Sequence, residues 1–149
     1  KLAIAGEGSQ RRMLENMIRE LNIGTQVTLL GHVADINTLY EQAGLFVLSS
    51  DYEGLGLAAM EALCTGCPVV STPIETSREI DAILGGGTIR FASDLSPESL
   101  TATMNAALQE SANGVSDFTH RTEIARDVLS AGNCARQYLE LYCNDPGGR

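Results

Sequence analysis

Between residues 45 and 71 the chain carries Leu45-Phe46-Val47-Leu48, apolar without a break, then the helix-length stretch Leu57–Cys64, then Pro68-Val69-Val70-Ser71. A strand with apolar residues on both sides has to be covered on both sides. Strands of that kind belong to parallel sheets, whose crossovers are helices. The same alternation runs through most of the 149 residues. It predicts an α/β fold, a Rossmann-like, doubly wound parallel sheet.

Leu2–Ala5 reads as the first strand. The turn Gly6-Glu7-Gly8-Ser9 leads into a helix over Gln10–Leu21, where Met13, Leu14, Met17, Ile18 and Leu21 share one apolar face and Gly24 supplies the stop. Val27–Leu30 reads as the second strand, and Asp35 caps a short helix that ends near Gln42. Leu57–Cys64 is apolar nearly all round, which predicts a buried helix, and Thr65-Gly66 ends it. Further elements are a strand at 68–71 with Pro68 at its first position, a helix from Ser77 to Leu84 and a strand over Thr88–Phe91. A helix then opens on Ser96-Pro97 and runs to about Glu110. Two more helical patterns cover Phe118–Ser130 and Asn133–Tyr142. Residues 112–116 read as a polar linker and 144–149 as a flexible tail, with the whole of 1–149 as one domain. The chain opens on Lys1 and runs at once into a strand pattern, which reads as a fragment of a longer protein.

Ten Lys and Arg against nineteen Asp and Glu give a formal charge of −9, which argues against a nucleic-acid surface. A small anionic ligand is compatible with that charge, because exposed charges are largely screened beyond roughly 8 Å. Local donors would have to hold it. No apolar run reaches the roughly 18 residues of a membrane span. Cys64, Cys67, Cys134 and Cys143 are too few for a disulfide scaffold, so a cytoplasmic, reducing setting is the simpler reading. Cys64-x2-Cys67 lacks a second pair at zinc-ligand spacing, and the cysteines read as fillers of small positions.

Gly6-x-Gly8 follows a strand, yet the third glycine of a dinucleotide fingerprint would fall at Arg11, and the second strand ends in Gly31-His32 where an acid should meet the ribose. The two glycines read as a tight turn that also lets a ligand approach the backbone. The informative stretch runs from Ser49 to Val70. Gly54 and Gly56 stand where a strand hands over to a helix, so first-turn N–H groups point beyond the strand's carboxyl end, where anions bind. Glu61 is the lone charge of the apolar helix and needs a partner there, either an Arg or Lys or a vicinal diol such as a ribose, whose two hydroxyls one carboxylate can accept. Glu53 precedes the helix, eight residues earlier, so both carboxylates can face one crevice.

The spacing Glu53-x7-Glu61 with Gly54-x-Gly56 inside it, followed by Gly66-x-Pro68-Val69-Val70, resembles the donor-site motif of the retaining, GT-B fold glycosyltransferases of family 4 (group 1). Ala5-Gly6-x-Gly8, Leu30-Gly31-His32-Val33 and Ser77-Arg78-Glu79-Ile80 extend the resemblance along most of the chain. It implies the C-terminal, nucleotide-sugar half of an enzyme that moves a sugar from a nucleotide diphosphate of UDP, GDP or ADP type to a sugar, lipid or glycan acceptor. A separate N-terminal domain holds the acceptor. The enzyme implied needs no metal or other cofactor, and membrane association is set by the other half. Asp51-x-Glu53 is similar to the metal-binding acidic pair of GT-A glycosyltransferases, but the glycines and second Glu that follow fit the GT-B pattern better.

Residue by residue, the resemblance gives Glu61 the ribose hydroxyls and makes Glu53 the catalytic candidate, in contact with the hydroxyls of the transferred sugar. It gives the backbone of Gly54, Leu55, Gly56 and Leu57 the sugar and phosphate. Gly31, His32 and Val33 border the base, and Gly6 and Gly8 line the cleft. Leu55 stands where the family commonly has a large aromatic. The family's diphosphate-binding Arg and Lys fall ahead of Lys1, so the fragment by itself is expected to bind nucleotide weakly and transfer nothing. Arg78 is either a salt-bridge partner or a phosphate contact. The rival readings are a GT-B nucleotide-sugar epimerase or phosphorylase, and a non-catalytic nucleotide-binding module.

Overall fold

The computed structural model describes residues 1–112 and 118–143. Strand and helix alternate through most of it: β1 (Leu2–Ala5), α1 (Arg11–Glu20), β2 (Val27–Gly31), α2 (Ile36–Gln42), β3 (Phe46–Leu48), α3 (Leu57–Thr65), β4 (Val69–Ser71), α4 (Glu75–Ile83) and β5 (Ile89–Phe91). Three helices follow, α5 (Pro97–Ala112), α6 (Phe118–Val128) and α7 (Ala131–Cys143). Every pairing between strands is parallel, in the orders β1-β2 and β3-β4-β5. The fold is the expected α/β class. The chain forms two compact units, Lys1–Ile36 and the remainder from Asn37 onward.

In the smaller unit, Leu2 lies opposite Val27, and the register shifts between Ile4 and Ala5 so that Ala5 meets Gly31. α1 packs on β2. Its apolar spacing is as expected, but only Leu14 and Ile18 are half-buried, while Met13, Met17 and Leu21 remain exposed. A helix of ten residues over a two-stranded sheet covers only the turns that touch it. The helix also stops earlier than the glycine signal suggested. Asn22 takes the left-handed conformation (φ 53°), and the Ile23 N–H closes on the Ile18 carbonyl at 3.1 Å, two residues before Gly24. Asn tolerates that conformation better than other residues with a side chain.

The larger unit holds the described core. Val69 and Val70 of the middle strand are fully buried, with Leu48, Ile89, Ala59, Ala62, Leu63 and Ile80 around them. α3 packs on β3 and β4, α4 on β5, and α5 on β4 and β5, where an Arg90–Glu110 ion pair also ties helix to strand. α3 is not buried all round. Ala59, Ala62 and Leu63 turn inward, while Leu57 and Glu61 are exposed. α3 packs between β3–β4 and α6, and the face carrying Leu57 and Glu61 stays open.

α4 begins at Glu75, two residues before the expected start. Pro73 and an extended Ile74 (ψ 148°) set the N-terminus, and Glu75 places a carboxylate in the first turn, where the helix dipole favours it. Ser77 is therefore inside the helix and buried. Gly85, Gly86 and Gly87 all have positive φ, and Asp81 accepts the N–H groups of Gly87, Thr88 and Ile89 at 2.9, 2.6 and 2.8 Å. This carboxylate sets the turn from α4 into β5. Ala112 is the last residue of α5. The rest of the expected linker and the expected tail at 144–149 lie outside the described residues. Cys67 is buried as a small filler, but Cys134 and Cys143 are exposed on α7, none of whose residues is buried.

Candidate functional site

β3 ends at Leu48, and the loop after it carries the expected site residues into α3. Hydroxyl groups from three elements hold this loop. Thr72, just past β4, donates through its side chain to the Ser50 carbonyl, and its N–H reaches the Leu48 carbonyl at 3.0 Å. Thr76, in the first turn of α4, donates to the Glu53 carbonyl at 2.8 Å. Ser50 donates to Glu53 Oε1 at 2.6 Å, so one oxygen of that half-buried carboxylate is fixed by its own loop. Beneath them, buried Ser71 donates to the Thr72 carbonyl at 2.8 Å and hydrogen-bonds to Ser77 at 3.0 Å.

Gly56 is the turning point. It caps α3 in the left-handed conformation (φ 66°), and a Cβ there would come within 3.3 Å of Ile80 Cδ1. No side chain caps this end of α3. Its first N–H groups therefore have no side-chain acceptor among the described residues. Gly54, Leu55 and Leu57 are exposed around them.

Glu61 lies one turn into α3, exposed, and accepts a hydrogen bond from the hydroxyl of Tyr40 on α2 at 3.3 Å. No Lys or Arg among the described residues forms an ion pair with it. Tyr40 is only 6% exposed and stacks edge-on against Phe46, with ring centroids 5.5 Å apart. Burial, reinforced by the negative charge of Glu61, pushes its hydroxyl up to about 12. The phenol is therefore a proton donor at neutral pH. Sequence reasoning gave Glu61 a need for a partner without naming Tyr40, and it did not identify Ser50, Thr72 or Thr76. The signal for Tyr40 was a polar-tipped aromatic on a short helix just before an apolar strand.

Glu53 and Gly54–Gly56 stand just before α3, Leu57 opens it and Glu61 lies at its middle, and no hydrogen bond among the described residues joins the two carboxylates. In the smaller unit, the Gly6 N–H donates to the Gly31 carbonyl at 2.7 Å, which brings together two of the glycines expected to line a cleft. Gly6 (φ 126°) and Gly31 (φ 71°) both need glycine's freedom, and a Cβ on Gly31 would overlap Glu7 Oε1 at 2.5 Å. Gly8 and His32 are exposed and Val33 half-buried. Among the described residues Arg78 forms no ion pair. Its guanidinium stands 4.9 Å over the ring of Phe91, within cation–π range. Among the described residues, no three His, Cys, Asp or Glu side chains stand together as metal ligands.

Residues 1–123 match the family described as "Glycosyl transferases group 1". The chain belongs to the group 1 glycosyltransferases. An uncharacterized glycosyltransferase of Methanocaldococcus jannaschii is 38% identical over 82 residues, 54% of this chain and 21% of that protein. The mannosylfructose-phosphate synthase of Agrobacterium fabrum is 37% identical over 79 residues, 48% of this chain and 17% of that protein. Among solved structures, Anabaena HepE in complex with UDP superposes with a TM-score of 0.80 at 19% identity, covering 95% of this chain and 40% of that one. The fold is therefore that of part of a GT-B glycosyltransferase, and the chain spans well under half the length of the relatives it matches. No helix among the described residues of this group 1 glycosyltransferase chain is long and apolar enough to cross a membrane.

Proposed function

We propose that this chain is the donor-binding half of a retaining glycosyltransferase that transfers a hexose-type sugar from a nucleoside diphosphate to a sugar, lipid or glycan acceptor, the acceptor being held by a separate domain. The observation that carries the reading is the arrangement at the start of α3. Gly56 leaves the first turn without a side-chain cap, Glu53 stands just before it, and exposed Glu61 one turn inside it has no cationic partner among the described residues. An unpaired carboxylate next to bare N–H donors suits a ligand that brings hydroxyls and a phosphate together. A nucleotide sugar is such a ligand.

On this reading the N–H groups of α3 bind the diphosphate and stabilise the charge that develops on it as the glycosidic bond breaks. Each charge-assisted hydrogen bond of that kind contributes about 1.5–3 kcal/mol. Glu61 accepts the ribose hydroxyls. Glu53 uses the oxygen not taken by Ser50 to orient the hydroxyls of the transferred sugar. In the smaller unit, Gly6, Gly8 and the stretch Gly31–Val33 keep the roles at the cleft and the base that the resemblance implies. The four dispersed cysteines support a cytoplasmic setting, with any membrane contact made peripherally.

UDP is the first nucleotide to test, since HepE is solved with it. Calorimetry of the intact protein with UDP, GDP and ADP should show one of them binding, with Glu61→Gln weakening it about tenfold or more while the fold is retained. Equal affinity in the two proteins would remove Glu61 from the site. With a donor sugar and an acceptor, proton NMR of the product should show the anomeric configuration of the donor preserved.

A further inference from the structure

We propose that Tyr40 is a positioning residue for Glu61: its hydroxyl holds one carboxylate oxygen so that the other is presented to the ribose diol. The inference rests on the ribose role given to Glu61 above. The geometry is specific to this pair. Tyr40 is buried and immobilised edge-on against Phe46, so its hydroxyl is delivered to Glu61 Oε2 from a rigid ring. Glu61 is the mobile member, a long exposed side chain on α3 with no ion pair to fix it among the described residues.

A carboxylate that rotates freely must be ordered each time a ligand binds, and that lost freedom weakens binding. A single hydrogen bond from a fixed donor removes part of the cost beforehand. Burial keeps the phenol protonated well above neutral pH, so it donates at neutral pH. The second oxygen of Glu61 and the remaining lone pair of the first stay open to two hydroxyl donors. The ring body belongs to the core and only its tip reaches the site, so Tyr40→Phe removes the proposed contribution and leaves the apolar packing in place.

The test compares two ligands on each protein. Affinities of the intact protein for UDP, or for GDP or ADP if one of these binds in its place, and for the 2′,3′-dideoxy counterpart are measured by calorimetry. The ratio of the two dissociation constants reports the hydroxyl contacts alone. Wild-type protein should prefer the ribonucleotide, and Glu61→Gln should abolish most of that preference. Tyr40→Phe should reduce it about three- to tenfold, as expected for the loss of one hydrogen bond, and should have no further effect in the Glu61→Gln background. A partly unfolded variant lowers the active fraction for both ligands equally and leaves the ratio readable.

If Tyr40→Phe weakens both ligands alike, or neither, with the ratio unchanged, Tyr40 is only a core residue and the proposal fails while the Glu61 reading survives. If Glu61→Gln itself leaves the ratio at the wild-type value, the ribose role of Glu61 fails, and the proposal with it.

Discussion

The Nε of Arg126 donates to the carbonyl of Cys64 at 2.6 Å, so a side chain of α6 satisfies one of the last backbone carbonyls of α3. α6 packs on α3, so the helix that starts at Gly56 is anchored at its other end. A cation at a helix C-terminus also complements the dipole. Replacing Arg126 with Ala should lower stability by about 1 kcal/mol, read as a shift in the urea midpoint with unchanged slope. An unmoved midpoint would show that the contact contributes nothing in solution.

Asp81 provides a second test of local architecture. Its carboxylate accepts three backbone N–H groups of the turn into β5, and two of those residues, Thr88 and Ile89, are buried. Asp81→Ala removes the acceptor of the buried Thr88 and Ile89 N–H groups, so a loss of about 2–3 kcal/mol is expected in chemical denaturation. A change below about 0.5 kcal/mol would mean that the glycine turn holds its shape unaided.

Gly56 is constrained twice, by its left-handed backbone and by Ile80 Cδ1 at 3.3 Å from where a Cβ would lie. Gly56→Ala should cost about 1–2 kcal/mol of stability from the backbone alone. It should also weaken nucleotide binding, because the turn that frees the α3 amides is deformed. Full binding in the Ala variant would separate that turn from the ligand.

Alkaline pH acts through two buried groups. Burial pushes the Cys67 thiol from an ordinary 9.0 up to about 11, and burial followed by the charge of Glu61 pushes Tyr40 from 10.0 up to about 12. In the unfolded chain both groups ionise at their ordinary values, while the folded chain retains both protons longer. Their stabilising contribution is complete below about pH 9 and is lost as pH rises through about 12. Denaturation midpoints should therefore fall across that window, and Cys67→Ala with Tyr40→Phe should flatten the decline. Thiol labelling at neutral pH should modify Cys134 and Cys143 quickly and leave Cys67 untouched until the chain unfolds.

Much of this was legible in the residues. Apolar runs such as Leu45–Leu48 and the 3.6-residue spacing of α1 are local signals, and strands and helices formed where they lie. The glycines before α3 announced a turn, which Gly56 makes with a left-handed backbone. Properties that depend on neighbours distant in sequence were hidden. α3 looked uniformly apolar, and which of its faces β3, β4 and α6 would leave open depends on elements distant in sequence. Tyr40 reaches Glu61 across 21 residues, and Thr76 reaches Glu53 across 23. Arg78 found an aromatic face, which charge counting does not anticipate. The start of α4 at Glu75 followed from Pro73 and an extended Ile74, two residues before the expected start at Ser77.

The loop before α3 rests on Ser50, Ser71, Thr72, Thr76 and Ser77, and none of these titrates near neutrality or carries a charge. A platform fastened by alcohols keeps its shape across the pH range and ionic strengths of ordinary buffers. On the proposed reading, a response of nucleotide binding to added electrolyte then reports the charged groups that meet the nucleotide and not the fastening of the loop.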